Sequence, residues 1–92
     1  MPNLASAKKR MRIEEKRRAR NRSVKSAVRT EVTQARNAIV AAPNEPTTEA
    51  AIRVAISQLD RAVTKGVIHK NNAARRKSRL MARLHAAQAQ NA

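Results

Sequence analysis

Apolar side chains recur at helical spacing in three separate stretches of this 92-residue chain. The first stretch repeats every three or four residues, at Val24, Val28, Val32, Ala35 and Ile39. It lies in a segment from about Ser6 to Ala41 that contains no Pro or Gly and is rich in strong helix formers. Such spacing places the apolar groups on one face of a helix. We therefore predict one long helix, whose N-terminal half has no apolar stripe to bury in protein.

The second apolar stretch predicts a shorter helix after two prolines, Pro43 and Pro46. Its stripe consists of Ile52, Ala55, Ile56, Leu59, Ala62 and Val63. Thr47 is the expected N-cap, and Glu49 in the first turn suits the positive end of the helix dipole. Gly66 is the one glycine of the sequence. We expect it just after the last turn, in the left-handed conformation that ends many helices.

The third apolar stretch predicts a helix that begins near His69. Its stripe consists of Ala73, Ala74, Leu80, Met81, Leu84 and Ala87. A later start remains open, with Asn71 or Asn72 as the N-cap. Val67 and Ile68 are expected to form a tight connection that also fills part of the core.

Three striped segments with short connections predict an all-α fold, an antiparallel three-helix bundle. At about 1.5 Å per residue the first helix exceeds the others by roughly 20 Å, so its N-terminal half projects. We expect a single domain over residues 1–92, comprising a basic arm (1–22), the bundle (23–87) and a tail (88–92). The large side chains expected in the core are Val24, Val28, Val32, Ile39, Ile52, Ile56, Leu59, Val63, Val67, Ile68, Leu80, Met81 and Leu84.

Positive charge is concentrated in two blocks. Residues 8–29 carry eleven Lys and Arg against two Glu, and residues 65–83 carry seven Lys and Arg with no acid. The segment between them is nearly neutral, and the formal net charge of the chain is +15. Because charge of this size opposes compaction, we expect the isolated chain to be less ordered than the chain bound to a polyanion.

Two dense basic blocks around a neutral segment are typical of nucleic-acid binding. Arg outnumbers Lys fourteen to seven, and guanidinium groups grip phosphate through paired hydrogen bonds. Phe, Tyr and Trp are absent, which excludes recognition of single strands by aromatic stacking. The modes of recognition that remain are contacts to phosphate groups and to the shape of the nucleic acid. A helix charged on every side suits a crevice between RNA duplexes.

Other functional classes find little support. The lack of Cys excludes disulfides and thiolate metal sites, and no apolar run approaches the roughly 20 residues that span a bilayer. Asp60 is the one Asp, and neither His lies at helical spacing from an acid. His69 and His85 would lie about 160° apart around a helix, which is unsuitable for a shared metal. We therefore expect no enzymatic activity, metal, cofactor, small-molecule substrate or membrane partner.

Two other classes of protein also carry basic helices. Basic helical proteins also coat duplex DNA without reading bases. A membrane-active basic helix requires an apolar face opposite the charge, and residues 8–22 offer only Met11, Ile13 and Ala19 for one. The second rival is therefore the weaker.

The most specific segment is KGVIHKNNAARRKSRL, at residues 65–80. Together with NLASAKKR at residues 3–10 and the pair Arg29-Thr30, it closely resembles the bacterial ribosomal protein S20 family, and the resemblance spans residues 3–84. Relatives often carry an aromatic and further lysines after the Arg-Thr pair, whereas this chain reads EVTQAR at residues 31–36. The family pattern does not extend to that stretch.

The resemblance implies a structural constituent of the small ribosomal subunit, located in the cytoplasm within the ribosome. It implies direct binding to small-subunit ribosomal RNA early in assembly, with other components of the subunit as possible partners. By the same resemblance, the RNA-facing residues are Ser6, Lys8, Lys9, Arg10, Lys16, Arg17, Arg20, Arg29, Lys65, His69, Lys70, Asn71, Arg75, Arg76, Lys77 and Arg79.

Overall fold

A computed structural model describes residues 2–90, with side chains from residue 4 onward. Its three helices are α1 (Pro2–Ala41), α2 (Pro46–Thr64) and α3 (Lys70–Gln90). The predicted all-α fold with a long first helix is confirmed: α1 has 40 residues, against 19 in α2 and 21 in α3. α3 continues beyond residue 87, where the bundle was predicted to end, and residues 91 and 92 of the predicted tail lie outside the described part.

The core lies where α2 and α3 pack against the C-terminal half of α1. Its buried apolar residues are Val28, Val32, Ala35, Ile39, Ile52, Ala55, Leu59, Ala62, Ala73, Leu80 and Leu84. Partly exposed side chains pack around them, at Val24, Ile56, Val63, Ile68, Met81 and Ala87. The three predicted stripes are thus confirmed apart from Ala74, which is exposed. Ala73 takes the core position, and the next residue lies 100° further round the helix.

The helices run up, down and up, so α2 is antiparallel to both of its neighbours. The start of α3, near His69 and Asn72, lies beside Lys25 and Arg29 of α1. At the other end, Gln88 donates a hydrogen bond from Nε2 to the carbonyl oxygen of Pro43 at 3.3 Å. α3 therefore follows α1 from about residue 25 to its end, and the preceding half of α1 projects alone.

The prediction that Thr47 caps α2 is wrong. Pro46 is the first helical residue, and Glu45 before it is extended, with φ −76° and ψ 141°. Proline suits this first position because its missing N–H would have no partner there and its φ is already helical. Glu49 lies in the first turn of α2, as predicted.

Thr48 has a structural role that the sequence pattern did not indicate. Its side chain is 1% exposed, and its hydroxyl donates to the carbonyl oxygen of Ala42 at 2.6 Å. The carbonyl oxygen of Ala38 lies 3.3 Å from the same hydroxyl. The two carbonyl oxygens also accept backbone bonds, Ala38 from the N–H of Ala42 and Ala42 from the N–H of Glu45. Thr48 of α2 adds a side-chain bond at the end of α1 and joins the two helices.

Gly66 ends α2 as predicted. Its φ is +74°, a left-handed value that glycine adopts without the steric cost other residues incur. The N–H of Gly66 donates to Val63 and the N–H of Val67 donates to Ala62, both at 2.9 Å. These two bonds satisfy carbonyl groups of the last turn, in the pattern of a Schellman motif.

His69 immediately precedes α3, which confirms the predicted start near this residue. Its Nδ1 accepts a hydrogen bond from the N–H of Asn71 at 3.1 Å. The imidazole thus takes the place of an N-cap side chain, and the alternative caps Asn71 and Asn72 are both wrong. Asn72 instead accepts a hydrogen bond at Oδ1 from Nε of Arg76, one turn later, at 2.9 Å.

Candidate nucleic-acid interface

The projecting half of α1, residues 4–22, presents cations in every direction, and we call it the arm. Residues 4–20 are all exposed, and successive side chains lie 100° apart around the axis. Glu14 Oε2 lies 3.7 Å from Arg18 Nη2, an exposed pair that contributes about 0.3–0.5 kcal/mol at most. Among the described residues no other ion pair involves the arm. Its predicted RNA-facing residues, all exposed, are Ser6, Lys8, Lys9, Arg10, Lys16, Arg17 and Arg20.

A second basic surface lies between α1 and α3 in the bundle. It is a groove of about 350 Å³ lined by Arg29, Val32, Thr33, Arg36, Arg76, Arg79, Leu80 and Arg83. Five of these residues are arginines and none is acidic. Residues three, four and seven apart share one side of a helix, which explains how each helix supplies several of them. We call this feature the arginine groove.

The arginine groove continues toward the arm. An adjoining depression of about 310 Å³ is lined by Lys25, Val28, Arg29, Val67, Ile68, His69, Asn72 and Arg76. It shares Arg29 and Arg76 with the groove, and its lining also contains no acid. Since His69 Nδ1 accepts a hydrogen bond, the proton of the neutral ring is assigned to Nε2, which remains a donor.

The opposite side of α3 is different in character. Asp60 of α2 forms an ion pair with Lys77, whose side chain is only 35% exposed. Further along this side, Glu49, Arg53 and His85 share a depression with apolar residues. The surface between α2 and α3 is therefore mixed in charge, whereas the arginine groove on the side that faces α1 has no acid in its lining.

The predicted site residues that lie outside the arm separate into two groups. Arg29, His69, Arg76 and Arg79 come together in the groove and its adjoining depression. The remaining members lie outside these two features. Lys77 is paired with Asp60. The other four are exposed, namely Lys65, Lys70, Asn71 and Arg75.

Sequence reasoning missed Arg36 and Arg83, which the structure places in the arginine groove. Arg36 falls in the stretch where the family resemblance fails, and Arg83 lies beyond the diagnostic segment. A signal was nevertheless available, because both residues follow a predicted site residue, Arg29 or Arg76, at an interval of seven. Two residues seven apart lie on the same face of a helix.

Asn21 lies at the junction of the arm and the bundle. Its Oδ1 is buried and has no hydrogen-bond partner within the described residues. A buried acceptor without a partner costs about 1–3 kcal/mol.

Neither a metal centre nor a membrane segment emerges from the described part of the chain. No cluster of three or more His, Asp or Glu side chains that could hold a metal ion occurs there. Among the described helices, none combines the length and the apolar character needed to cross a membrane.

A helical bundle with a cationic arm and an acid-free cationic groove defines a structural protein suited to a polyanionic partner. The model of the protein family described as Ribosomal protein S20 matches residues 2–85 of the chain. The chain belongs to this family, which confirms the resemblance seen in the sequence. It is accordingly a ribosomal protein and not an enzyme.

Relatives cover almost the whole chain. The small ribosomal subunit protein bS20 of Cutibacterium acnes is 53% identical over 85 residues, covering 92% of this chain and 96% of the relative. The protein of the same name from Thermomicrobium roseum is 54% identical over 89 residues, covering 94% and 86%. That of Streptomyces griseus is 48% identical over 89 residues, covering 97% and 100%.

Proposed function

We propose that this chain is a structural constituent of the small ribosomal subunit in the cytoplasm, where it binds small-subunit ribosomal RNA directly. The supporting observation is the pair of exposed cationic surfaces, the arm and the arginine groove, which a single helical bundle holds together. The acidic side chains near each surface are too few to neutralise its positive charge. The relatives named small ribosomal subunit protein bS20 align with 92% and 97% of this chain, which also supports the proposal.

The arm binds RNA through phosphates on several sides. A cationic helix with no buried face can enter a space between RNA duplexes and meet backbones in different directions. Lys8, Arg10, Lys16, Arg17 and Arg20 differ in their positions around the axis, so no single groove of one duplex would engage them all. Recognition is by phosphate position and RNA shape, because the chain has no aromatic side chain on which a base could stack.

The bundle supplies the second set of contacts and fixes its position relative to the arm. Arg29, Arg76, Arg79 and the Nε2–H of His69 provide donors to phosphate or ribose oxygens. Lys65, Lys70, Asn71 and Arg75 extend this surface at the start of α3. Lys77 contributes less than a free lysine, because its ammonium group is already paired with Asp60.

The first test is direct binding of the full chain to purified small-subunit ribosomal RNA, measured by filter binding between 50 and 200 mM salt. Contacts to six to ten phosphates predict a loss of affinity of about 10³–10⁵-fold over this range, by analogy with duplex DNA. Affinity that does not change with salt would contradict the proposal. Unlabelled duplex DNA serves as competitor, and equally effective competition would favour the DNA-coating rival.

A matched pair of variants tests whether the arm contributes beyond its net charge. Arg17→Gln with Arg20→Gln removes two arm cations, while Arg53→Gln with Arg61→Gln removes two from exposed positions on α2. We expect the arm variant to lose about tenfold in affinity or more, and the α2 variant to lose much less, because only the arm pair contacts phosphate. Equal losses in the two variants would mean that net charge alone determines binding.

A further inference from the structure

We infer that one continuous RNA sugar–phosphate backbone binds in the arginine groove and continues along a single face of the arm, with Arg36 and Arg83 as phosphate-binding residues at the far end. This inference rests on the proposed function and specifies how one of its two cationic surfaces is used. The other faces of the arm remain available to separate segments of RNA.

The first argument is the uncompensated charge of the groove. Arg29 and Arg36 of α1 face Arg76, Arg79 and Arg83 of α3 across it, and no carboxylate lines the space. Like charges held together repel one another and oppose the compact state. A polyanion that enters the groove relieves this repulsion. Val32 and Leu80 contribute apolar surface there, against which the aliphatic parts of arginine side chains can pack.

The second argument is the length of the cationic line. Arg18, Arg22, Lys25 and Arg29 follow one another at intervals of four, three and four residues, and Arg36 follows seven later. All five therefore share one face of α1. From Arg18 to Arg36 the line extends about 27 Å at 1.5 Å per residue. A single small anion would occupy only a fraction of this length, whereas a nucleic-acid strand carries negative charge along all of it.

The third argument is the orientation of Arg76. Its Nε donates to Oδ1 of Asn72 at 2.9 Å, which fixes one edge of the guanidinium group and leaves the Nη donors for another acceptor. A prepositioned guanidinium loses less entropy on binding phosphate. Thr33 in the groove and Nε2 of His69 beside it offer further donors to phosphate or ribose oxygens.

The test compares two double variants of equal charge in the full chain. Arg36→Gln with Arg83→Gln alters the groove, and Arg53→Gln with Arg61→Gln alters exposed positions on α2. Binding to purified small-subunit ribosomal RNA is measured as a function of salt. Two lost phosphate contacts predict a decrease of about 1.4–1.8 in the slope of log affinity against log salt. We expect that decrease for the groove variant and a clearly smaller one for the α2 variant.

Hydroxyl-radical footprinting of the same complexes tests continuity. The groove variant should lose protection over one contiguous stretch of the RNA backbone and retain the other protected stretches. Loss of protection scattered over several distant stretches of RNA would overturn the inference that a single backbone binds in the groove. Equal salt slopes for the two double variants would overturn it as well. If wild-type protein itself showed no preference for this RNA over duplex DNA, the proposed function would fail instead.

Folding of the variants is checked by circular dichroism and urea unfolding. Neither Arg36 nor Arg83 has an ion-pair partner within the described residues, so we expect unchanged helicity. The variant Arg36→Lys with Arg83→Lys keeps the charge and removes paired hydrogen bonding to phosphate. It should retain the salt slope and lose affinity severalfold, and full wild-type affinity would argue against direct contact by the two guanidinium groups.

Discussion

The two halves of α1 belong to one helix and differ in what stabilises them. From Val24 to Ala41 the helix buries a continuous apolar stripe against α2 and α3. From Leu4 to Arg20 every side chain is exposed. Neither half contains Pro or Gly, and intrinsic propensity favours the exposed half, because residues 24–41 include four Val, two Thr and one Ile. Tertiary packing stabilises one half, and the other relies on propensity alone until a partner covers it.

Charge increases the contrast between the halves. Most helices in proteins gain their stability from packing an amphipathic face, which the arm lacks. Repulsion among its cations lowers the stability of the arm further. The same cations become favourable contacts against RNA phosphates. The arm is therefore the part of the molecule in which folding and binding are most closely coupled.

The largest expected difference between the halves is in amide hydrogen exchange. In the free protein we expect residues 28–39 to exchange through global unfolding and residues 6–18 to exchange at least about 100-fold faster, through local opening. Adding small-subunit ribosomal RNA should slow exchange in the arm far more than in residues 28–39. Mass spectrometry or NMR provides the measurement. Equal protection of both halves in the free protein would show that the arm is stable without a partner.

A matched pair of isoleucines tests the contribution of packing to stability. Ile39 is 4% exposed and Ile13 is 48% exposed, and both lie within α1. We expect Ile39→Ala to lower the free energy of unfolding by about 2–5 kcal/mol, because it leaves a cavity in the core. Ile13→Ala should change it by no more than about 0.5 kcal/mol. The gain in helix propensity is the same in both variants, so their difference in urea unfolding reports burial alone.

The fold was largely predictable because its main determinant, the spacing of apolar residues, is local. The stripe from Val24 to Ile39 indicated both the packed half of α1 and, by its absence before Val24, the projecting half. Gly66 was predictable for the same reason, since a left-handed residue after a helix is a local requirement. These features depend on the periodicity of a single helix.

The errors arose where a residue is used by a distant part of the chain. Thr48 donates to carbonyl groups of α1, so its role becomes visible only when the two helices are adjacent. Arg36 and Arg83 join a common groove because α3 lies parallel to α1. His69 is the exception, because its bond from the N–H of Asn71 is local, and its role as a cap was missed because histidine is an uncommon cap. The roles of Thr48, Arg36 and Arg83 follow from tertiary arrangement, which the spacing along one helix does not specify.

A threonine pair tests how the packed half of α1 ends. Thr48→Val removes the hydroxyl that bonds Ala42, whose carbonyl oxygen keeps only the bond from the N–H of Glu45 at 3.3 Å. We expect a loss of about 0.5–1.5 kcal/mol in the free energy of unfolding, the net contribution of one hydrogen bond. Thr47→Val, at the exposed neighbouring position, should have an effect within about 0.5 kcal/mol. Urea unfolding monitored by circular dichroism measures both. A larger loss for Thr47→Val would restore Thr47 as the cap of α2.

The smallest expected effect concerns His69, which lies beside the point where the two halves of α1 meet. Its Nδ1 accepts the hydrogen bond from the N–H of Asn71. Removing a capping side chain typically costs about 0.5–2 kcal/mol, and we expect His69→Ala to fall near the lower end because the site is exposed. His69→Asn should restore the lost stability, since asparagine is a good N-cap. His85→Ala, at an exposed position within α3, serves as the control.

The same substitutions separate capping from RNA contact at His69. The asparagine variant keeps the cap and loses the imidazole Nε2–H, the donor that we propose faces a phosphate or ribose oxygen. Stability restored to the wild-type level together with RNA affinity reduced severalfold would assign both roles to His69. Wild-type affinity in His69→Asn would limit the residue to capping. In that case RNA binding near the junction would depend on the lysine and arginine side chains of the groove and the arm, without a contribution from the ring.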